Sequence, residues 1–171
     1  PATVTVAGTV RLTDTQIPNS ANATGFTFAG GKVFFLANDG THGQELFVTD
    51  GTPGGTALVK DINPSGDSNI NQMFVLNGTL FFSAHDDVHG YQLWRSDGTE
   101  AGTQVIGTND ASDDNNPGNI IVADATHFYF TGNGGLFYSD GTTAGTYRVG
   151  SNSGFDVNHA GIVNGALFYQ A

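Results

Sequence analysis

A phrase recurs along this chain, and no other feature limits the fold so sharply. In mid-sequence it reads Tyr91-Gln92-Leu93-Trp94-Arg95-Ser96-Asp97-Gly98-Thr99-Glu100-Ala101-Gly102-Thr103. An earlier copy is Glu45-Leu46-Phe47-Val48-Thr49-Asp50-Gly51-Thr52-Pro53-Gly54-Gly55-Thr56, and a later one is Leu136-Phe137-Tyr138-Ser139-Asp140-Gly141-Thr142-Thr143-Ala144-Gly145-Thr146. The central aspartates Asp50, Asp97 and Asp140 lie 47 and then 43 residues apart. Periods in this range belong to solenoids, propellers and arrays, whose units bury their apolar faces against one another.

Each unit contains four strand-like segments. A short apolar run comes first, as in Phe26-Thr27-Phe28-Ala29, Met73-Phe74-Val75-Leu76 and Ile120-Ile121-Val122-Ala123. An aromatic-rich run follows, as in Val33-Phe34-Phe35-Leu36, Leu80-Phe81-Phe82-Ser83 and Phe128-Tyr129-Phe130-Thr131. Asn77-Gly78 or Asn164-Gly165 between two β-prone runs is a strong hairpin signal, because both turn positions need φ > 0. The third segment leads into the Asp-Gly-Thr turn, and the fourth follows the Gly-Thr pair.

Gly8-Thr9-Val10-Arg11-Leu12 matches Gly145-Thr146-Tyr147-Arg148-Val149, so the chain opens on a fourth segment. It stops at Ala171, just after a second segment, Leu167-Phe168-Tyr169-Gln170. The expected fold is therefore all-β, a propeller-like ring of about four four-stranded blades within a single domain. The units span 13–59, 60–106, 107–149, and 150–171 completed by 1–12. Ala2 to Val6 would supply the missing third strand. Closure within the chain is the expectation. Pairing of an open half-blade with a neighbouring subunit, or excision from a longer array, are the alternatives.

Composition agrees with short strands and tight turns: 25 Gly, 13 Phe and few helix formers. No window carries apolar residues at i, i+3, i+4 and i+7, so no long helix is expected. Sixteen acidic against five basic residues give a net charge of −11. Such a surface repels phosphate backbones and anionic lipid, which argues against nucleic-acid partners, and it attracts cations such as Ca²⁺. No run approaches the ~20 apolar residues of a membrane helix, so no membrane insertion is expected. Without cysteine there is neither a disulfide framework nor a thiolate metal site. Beginning at Pro1, the chain reads as a processed or excised piece.

The segments around Asp50, Asp97 and Asp140 resemble the Glu-Leu-Trp-x-x-Asp-Gly-Thr-x-x-Gly-Thr (hyalin-like) repeats of large secreted bacterial proteins. The match extends to Asn38-Asp39-Gly40-Thr41-His42-Gly43 upstream and Leu58-Val59-Lys60-Asp61-Ile62 downstream, and covers most of residues 30–150. The resemblance implies a propeller-like β repeat outside the cell or at its surface, in adhesins and matrix proteins. The third unit departs from the pattern by lacking the His-containing loop, and the fourth has no Asp-Gly-Thr of its own.

Several residue sets could carry chemistry. Asp50, Asp97 and Asp140 are expected to be structural, since Asp can accept amides two residues on while Gly supplies φ > 0. Asp39-x-x-His42 and Asp86-x-x-His89 place a carboxylate near an imidazole, and are read as polar hairpin tips before metal or acid–base groups. Asp61, Asn63, Ser65, Asp67 and Asn69, with Gly66 at the sixth place, mimic the alternating oxygen ligands of a Ca²⁺ loop. Gln72 stands where such a loop has its bidentate Glu, and Asn109, Asp110, Ser112, Asp113 and Asp114 crowd the equivalent loop without that spacing. Aromatics at one recurring slot (Phe47, Trp94, Phe137) suit inter-unit packing. Trp94 and Tyr91 are the candidates for stacking on a sugar.

No nucleophile elbow, zinc-binding His pair or phosphate-binding glycine loop is present, so no catalytic residues are assigned. The expected task is non-catalytic: an extracellular structural or adhesive module of a bacterial surface, filament or matrix assembly. Its partners would be other copies of itself or surface and matrix proteins. The alternative is a carbohydrate-binding, lectin-like module that takes glycans between blades.

Overall fold

A computed structural model of the chain describes residues 22–52, 54–107, 117–132, 135–151, 156–163 and 166–170. Every regular element among them is a strand, and all pairing is antiparallel. The first sheet runs in the order β1 (Thr24–Ala29), β2 (Lys32–Asn38), β3 (Gln44–Thr49), β4 (Thr56–Lys60). The second has β5 (Asn71–Leu76), β6 (Thr79–Asp86), β7 (Gly90–Ser96) and β8 (Gln104–Ile106) in the same order. The third repeats it with β9 (Gly118–Val122), β10 (Phe128–Gly132), β11 (Gly135–Ser139) and β12 (Tyr147–Ser151). A fourth, two-stranded sheet pairs β13 (Asp156–Val163) with β14 (Ala166–Gln170). The all-β class is thus present. The strands expected at Ala2–Val6 and Gly8–Leu12, which would complete the fourth sheet, lie outside the described residues.

The hairpin tips form for a local reason. Gly30 and Gly31 have φ of 56° and 80°, and Asn77 and Gly78 have 48° and 76°. Two successive positive φ values define the turn whose twist matches paired strands. The register follows, Ala29 opposite Lys32 and Leu76 opposite Thr79. In the third sheet the connection is longer, with Val122 opposite Phe128.

The middle strands are buried on both faces, which explains their unbroken apolar runs. On β2, Phe34 and Leu36 join Leu46 and Val48 against Leu80, Phe82, Ala84 and Trp94 of the second sheet. Successive side chains point to opposite faces of a strand. Accordingly Phe35 and Ala37 join Phe47 in a separate cluster on the other face. Between the second and third sheets, Phe81, Leu93 and Ile106 meet Phe128, Phe130 and Phe137. The rings of Phe81 and Phe128 lie 5.3 Å apart across that seam. The first strands of successive sheets also lie side by side, β1 by β5 and β5 by β9.

The Asp-Gly-Thr turns lock neighbouring sheets together. A Cβ built on Gly98 of the second sheet would meet Phe34 Cζ at 3.2 Å and Lys32 Cδ at 3.1 Å, both on the first sheet. One built on Gly141 of the third sheet would meet Phe81 Cζ of the second at 2.8 Å. Phe34 and Phe81 occupy equivalent places, two residues into the strand after the hairpin tip, and each is covered by the next unit's turn. A basic side chain ties each joint: Lys32 Nζ donates to Asp97 O at 3.2 Å, and Arg95 Nη1 donates to Gly141 O at 3.3 Å.

Gly141→Ala should therefore cost about 1 kcal/mol for its positive φ and roughly 1–3 kcal/mol more for overpacking against Phe81. Gly51→Ala, at a turn with no described atom within 4 Å of an added Cβ, should cost only the first term. Urea denaturation of the two variants checks the difference; equal losses would remove the joint.

Candidate functional site

The recurring polar residues are built into the turns that join β3 to β4, β7 to β8 and β11 to β12. Asp97 Oδ1 accepts the Thr99 amide at 2.9 Å and the Thr99 hydroxyl at 2.7 Å. Asp50 and Thr52 make the same pair of bonds, as do Asp140 and Thr142. A Cβ on Gly55, Gly102 or Gly145 would collide with the aspartate of its own turn, so the second glycine of the motif is there to admit the carboxylate. Beneath the turn, buried hydroxyls pair across the hairpin: Thr56 with Thr49 at 3.1 Å, Ser96 with Thr103 at 2.8 Å, and Ser139 with Thr146 at 2.7 Å. Donation from the threonine side chain holds Asp50, Asp97 and Asp140 below the usual carboxylate range. Each carboxylate is thus engaged by its own turn.

The Asp-x-x-His segments are hairpin tips of one design. Asp39 Oδ1 accepts the amides of Thr41 and His42 at 2.8 and 3.0 Å, and its Oδ2 lies 2.7 Å from His42 Nδ1. Asp86 and His89 repeat this between β6 and β7, with Nδ1 and Oδ2 2.8 Å apart. A third pair, Asp124 and His127 at 3.0 Å, caps the longer connection between β9 and β10. Sequence reading missed this pair because it sits in a different hairpin, although the spacing is the same. Burial pushes Asp39 up, but the His42 side chain and the two amides outweigh it and leave the carboxyl lowered. The same contact with Asp39 raises His42.

The proposed calcium ladder is partly spent on hydrogen bonds. Asp67 Oδ1 accepts the Gln44 amide at 2.7 Å. Asn63 Nδ2 and Asn69 Nδ2 both donate to Asp67 O, at 3.0 and 3.2 Å. The Ser65 hydroxyl donates to Asn63 Oδ1 at 3.3 Å and also contacts Asp87. Asn69 and Gln72 have φ of 47° and 52°, which turns the backbone away from the simple alternation that the spacing presumes. Among the described residues no three His, Cys, Asp or Glu side chains converge as a metal cage. The loop at Asn109, Asp110, Ser112, Asp113 and Asp114 lies outside the described residues.

Trp94 belongs to the core. It is 5 % exposed, packed between the first two sheets, so its ring offers no face to a sugar. Phe47 and Phe137, at the same slot, are equally buried. Tyr91 is half-buried, with its ring set edge-on to His85 at 5.0 Å. A cleft of about 150 Å³ opens at the joint of the second and third sheets. Phe81, Asn77, Thr79, Arg95, Thr126 and Asp140 line it.

One group unremarked in the sequence stands out. Glu45, on β3, is 0 % exposed. Its Oε2 accepts the Ile62 amide at 3.1 Å, while Oε1 is buried without a hydrogen-bond partner. Asp61 Oδ1 is buried and unpartnered in the same way. A buried acceptor left unmet costs about 1–3 kcal/mol, and more if charged. Burial raises Glu45 to about 7, with the Asp61 charge adding to the rise. The available signal was the place of Glu45 in the motif, beside residues that must point inward.

The chain matches no family model, no curated protein and no solved structure, so function rests on its own geometry. Glu45 offers a direct readout of that geometry. Its carboxyl ionises at about 7 in the fold against 4.5 in the unfolded chain, so between those values the native state holds a proton that the unfolded state has lost. In metal-free buffer, stability should then fall as pH rises from the lower value to the higher and level off above it. Glu45→Gln keeps an acceptor for Ile62 and should abolish the part of that slope below 6.5, where the raised His42 adds none, as chemical denaturation across the window would show.

Proposed function

We propose that this chain is a non-catalytic structural or adhesive repeat domain acting outside the cell. It would be a module of a bacterial surface, filament or matrix assembly whose partners are other copies of itself or matrix proteins. The observation that carries the reading is the use to which the recurring polar groups are put. Asp50, Asp97 and Asp140 fold back on their own turns, and Lys32 and Arg95 reach across to the next sheet's turn. The turn that recurs in three units is shaped by its own aspartate, and at two joints it rests on the preceding sheet, as an assembly of stacked units requires.

The same reading extends to the architecture: a propeller-like ring of hyalin-like repeats. Side-by-side first strands support it, as does the turn-on-aromatic joint formed twice in one sense. Phe35, Ala37 and Phe47 face away from the second sheet yet are only 0 %, 0 % and 1 % exposed. Closure of the ring by this chain would give that cluster, and the half-exposed Phe26 stacked on Phe35, a neighbour to pack against.

A second reading, glycan binding, draws on the cleft at Arg95 and Asp140, where an aromatic floor carries hydroxyl, amide and charged groups. The two readings separate by experiment. The structural subunit should assemble with rising concentration in light scattering and electron microscopy, and should leave glycan arrays blank. A monomer at every concentration would sink it, and array signals lost on Thr126→Ala would install the lectin instead.

A further inference from the structure

We propose that the carboxylates of Glu45 and Asp61 bind one divalent cation, Ca²⁺, in the seam between β3 and the segment that leaves the first sheet after β4. Glu45 accepts the amide of Ile62, the residue after Asp61, and Ser68 and Asn63 also act on it, yet its Oε1 and Asp61 Oδ1 are each buried without a hydrogen-bond partner. They lie close enough for the charge of Asp61 to act on Glu45, and for both charges to act on His42. The neighbouring cationic groups are otherwise engaged. His42 holds Asp39 through Nδ1 at 2.7 Å, and Lys60 Nζ is directed at Thr103 O at 3.4 Å. A positive charge from outside the chain is what the pair lacks.

The donor chemistry selects the ion. Both unpartnered atoms are hard carboxylate oxygens, and Ca²⁺ completes its shell from carbonyls, amides and water at flexible geometry. Nitrogen- and sulfur-seeking metals need the converging cage that is missing among the described residues. Internal comparison of the units points the same way. Where the first unit has Glu45 and Asp61, the second has Gln92 and Thr108, and the third has Gly135 and Ser151. In the second unit the amide that replaces the acid donates to His89 O at 2.9 Å, a bond that a carboxylate could not make. The two acids are present together in the first unit and absent together from the other two. The site shares only Asp61 with the ladder read from the sequence, since Asp67 is taken by the Gln44 amide.

The test is a thermal melt of EDTA-stripped protein titrated with CaCl₂ and, in parallel, MgCl₂, with stoichiometry from calorimetry. A binding ion should raise the melting midpoint by several degrees and saturate at one equivalent. Ca²⁺ should be preferred to Mg²⁺, whose strict octahedral shell two buried carboxylates fit poorly. Glu45→Gln and Asp61→Asn should each weaken Ca²⁺ binding by about tenfold or more. If Glu45→Gln does not fold, Asp61→Asn, at a partly exposed residue, decides alone. Identical melts with EDTA and with Ca²⁺ would overturn the proposal. A Ca²⁺ response that survives both substitutions would also overturn it, and would move the ion to the Asp67–Asn69 turn.

Discussion

The fold depends on one contact: a glycine, held at positive φ by its turn, lying flat on an aromatic ring of the preceding sheet. Gly98 over Phe34 and Gly141 over Phe81 are two instances of it. A four-stranded repeat unit of this kind, apolar on both faces of its middle strands, cannot bury those faces alone. It does so only when its neighbours take up both faces, and the turn sets how closely they approach. Every residue of the Asp-Gly-Thr-x-x-Gly-Thr phrase has a part in shaping that turn. Asp accepts the threonine amide and hydroxyl, the first Gly meets the ring, the second Gly leaves room for the carboxylate, and the last Thr seals the hairpin through its buried hydroxyl.

Much of this could be read from residue types. Asn77-Gly78 specified its hairpin because few other dipeptides adopt two positive φ values, and the apolar runs marked the middle strands. The aromatic slot at Phe47, Trp94 and Phe137 was legible as packing because it repeats in step with the strands. Trp94 as a sugar platform failed for the same reason: a ring at a repeating inward position belongs to the seam. The oxygen ladder from Asp61 to Asn69 was less legible. Spacing says which residues alternate only if the backbone is regular, and here positive φ at Asn69 and bonds to Gln44 and Asp67 rotate the side chains. Glu45 escaped notice because a charged letter in a strand reads as solvent-facing until the register shows it facing inward.

Carboxylates in this molecule divide by what is donated to them. Asp97, with an amide and a hydroxyl on one oxygen, is held ionised. Glu45 is pushed toward the neutral acid by burial, although the Ile62 amide, Ser68 and Asn63 pull it the other way and its Oε1 has no hydrogen-bond partner. The same functional group therefore fastens the turns in one setting and strains a seam in another, and the difference lies first in burial, which outweighs the hydrogen bonds that Glu45 accepts.

The joint also has a direction. The first and second sheets each offer a ring forward and receive a glycine turn from the unit that follows, so the stack is vectorial, like a row of overlapping tiles. Units of this kind can be duplicated, lost or circularly permuted in whole multiples without disturbing any seam. A breakpoint within a unit separates the ring-bearing strand from the turn it has to carry. Lineages that lengthen or shorten such a chain should therefore keep their boundaries in phase with the tiles.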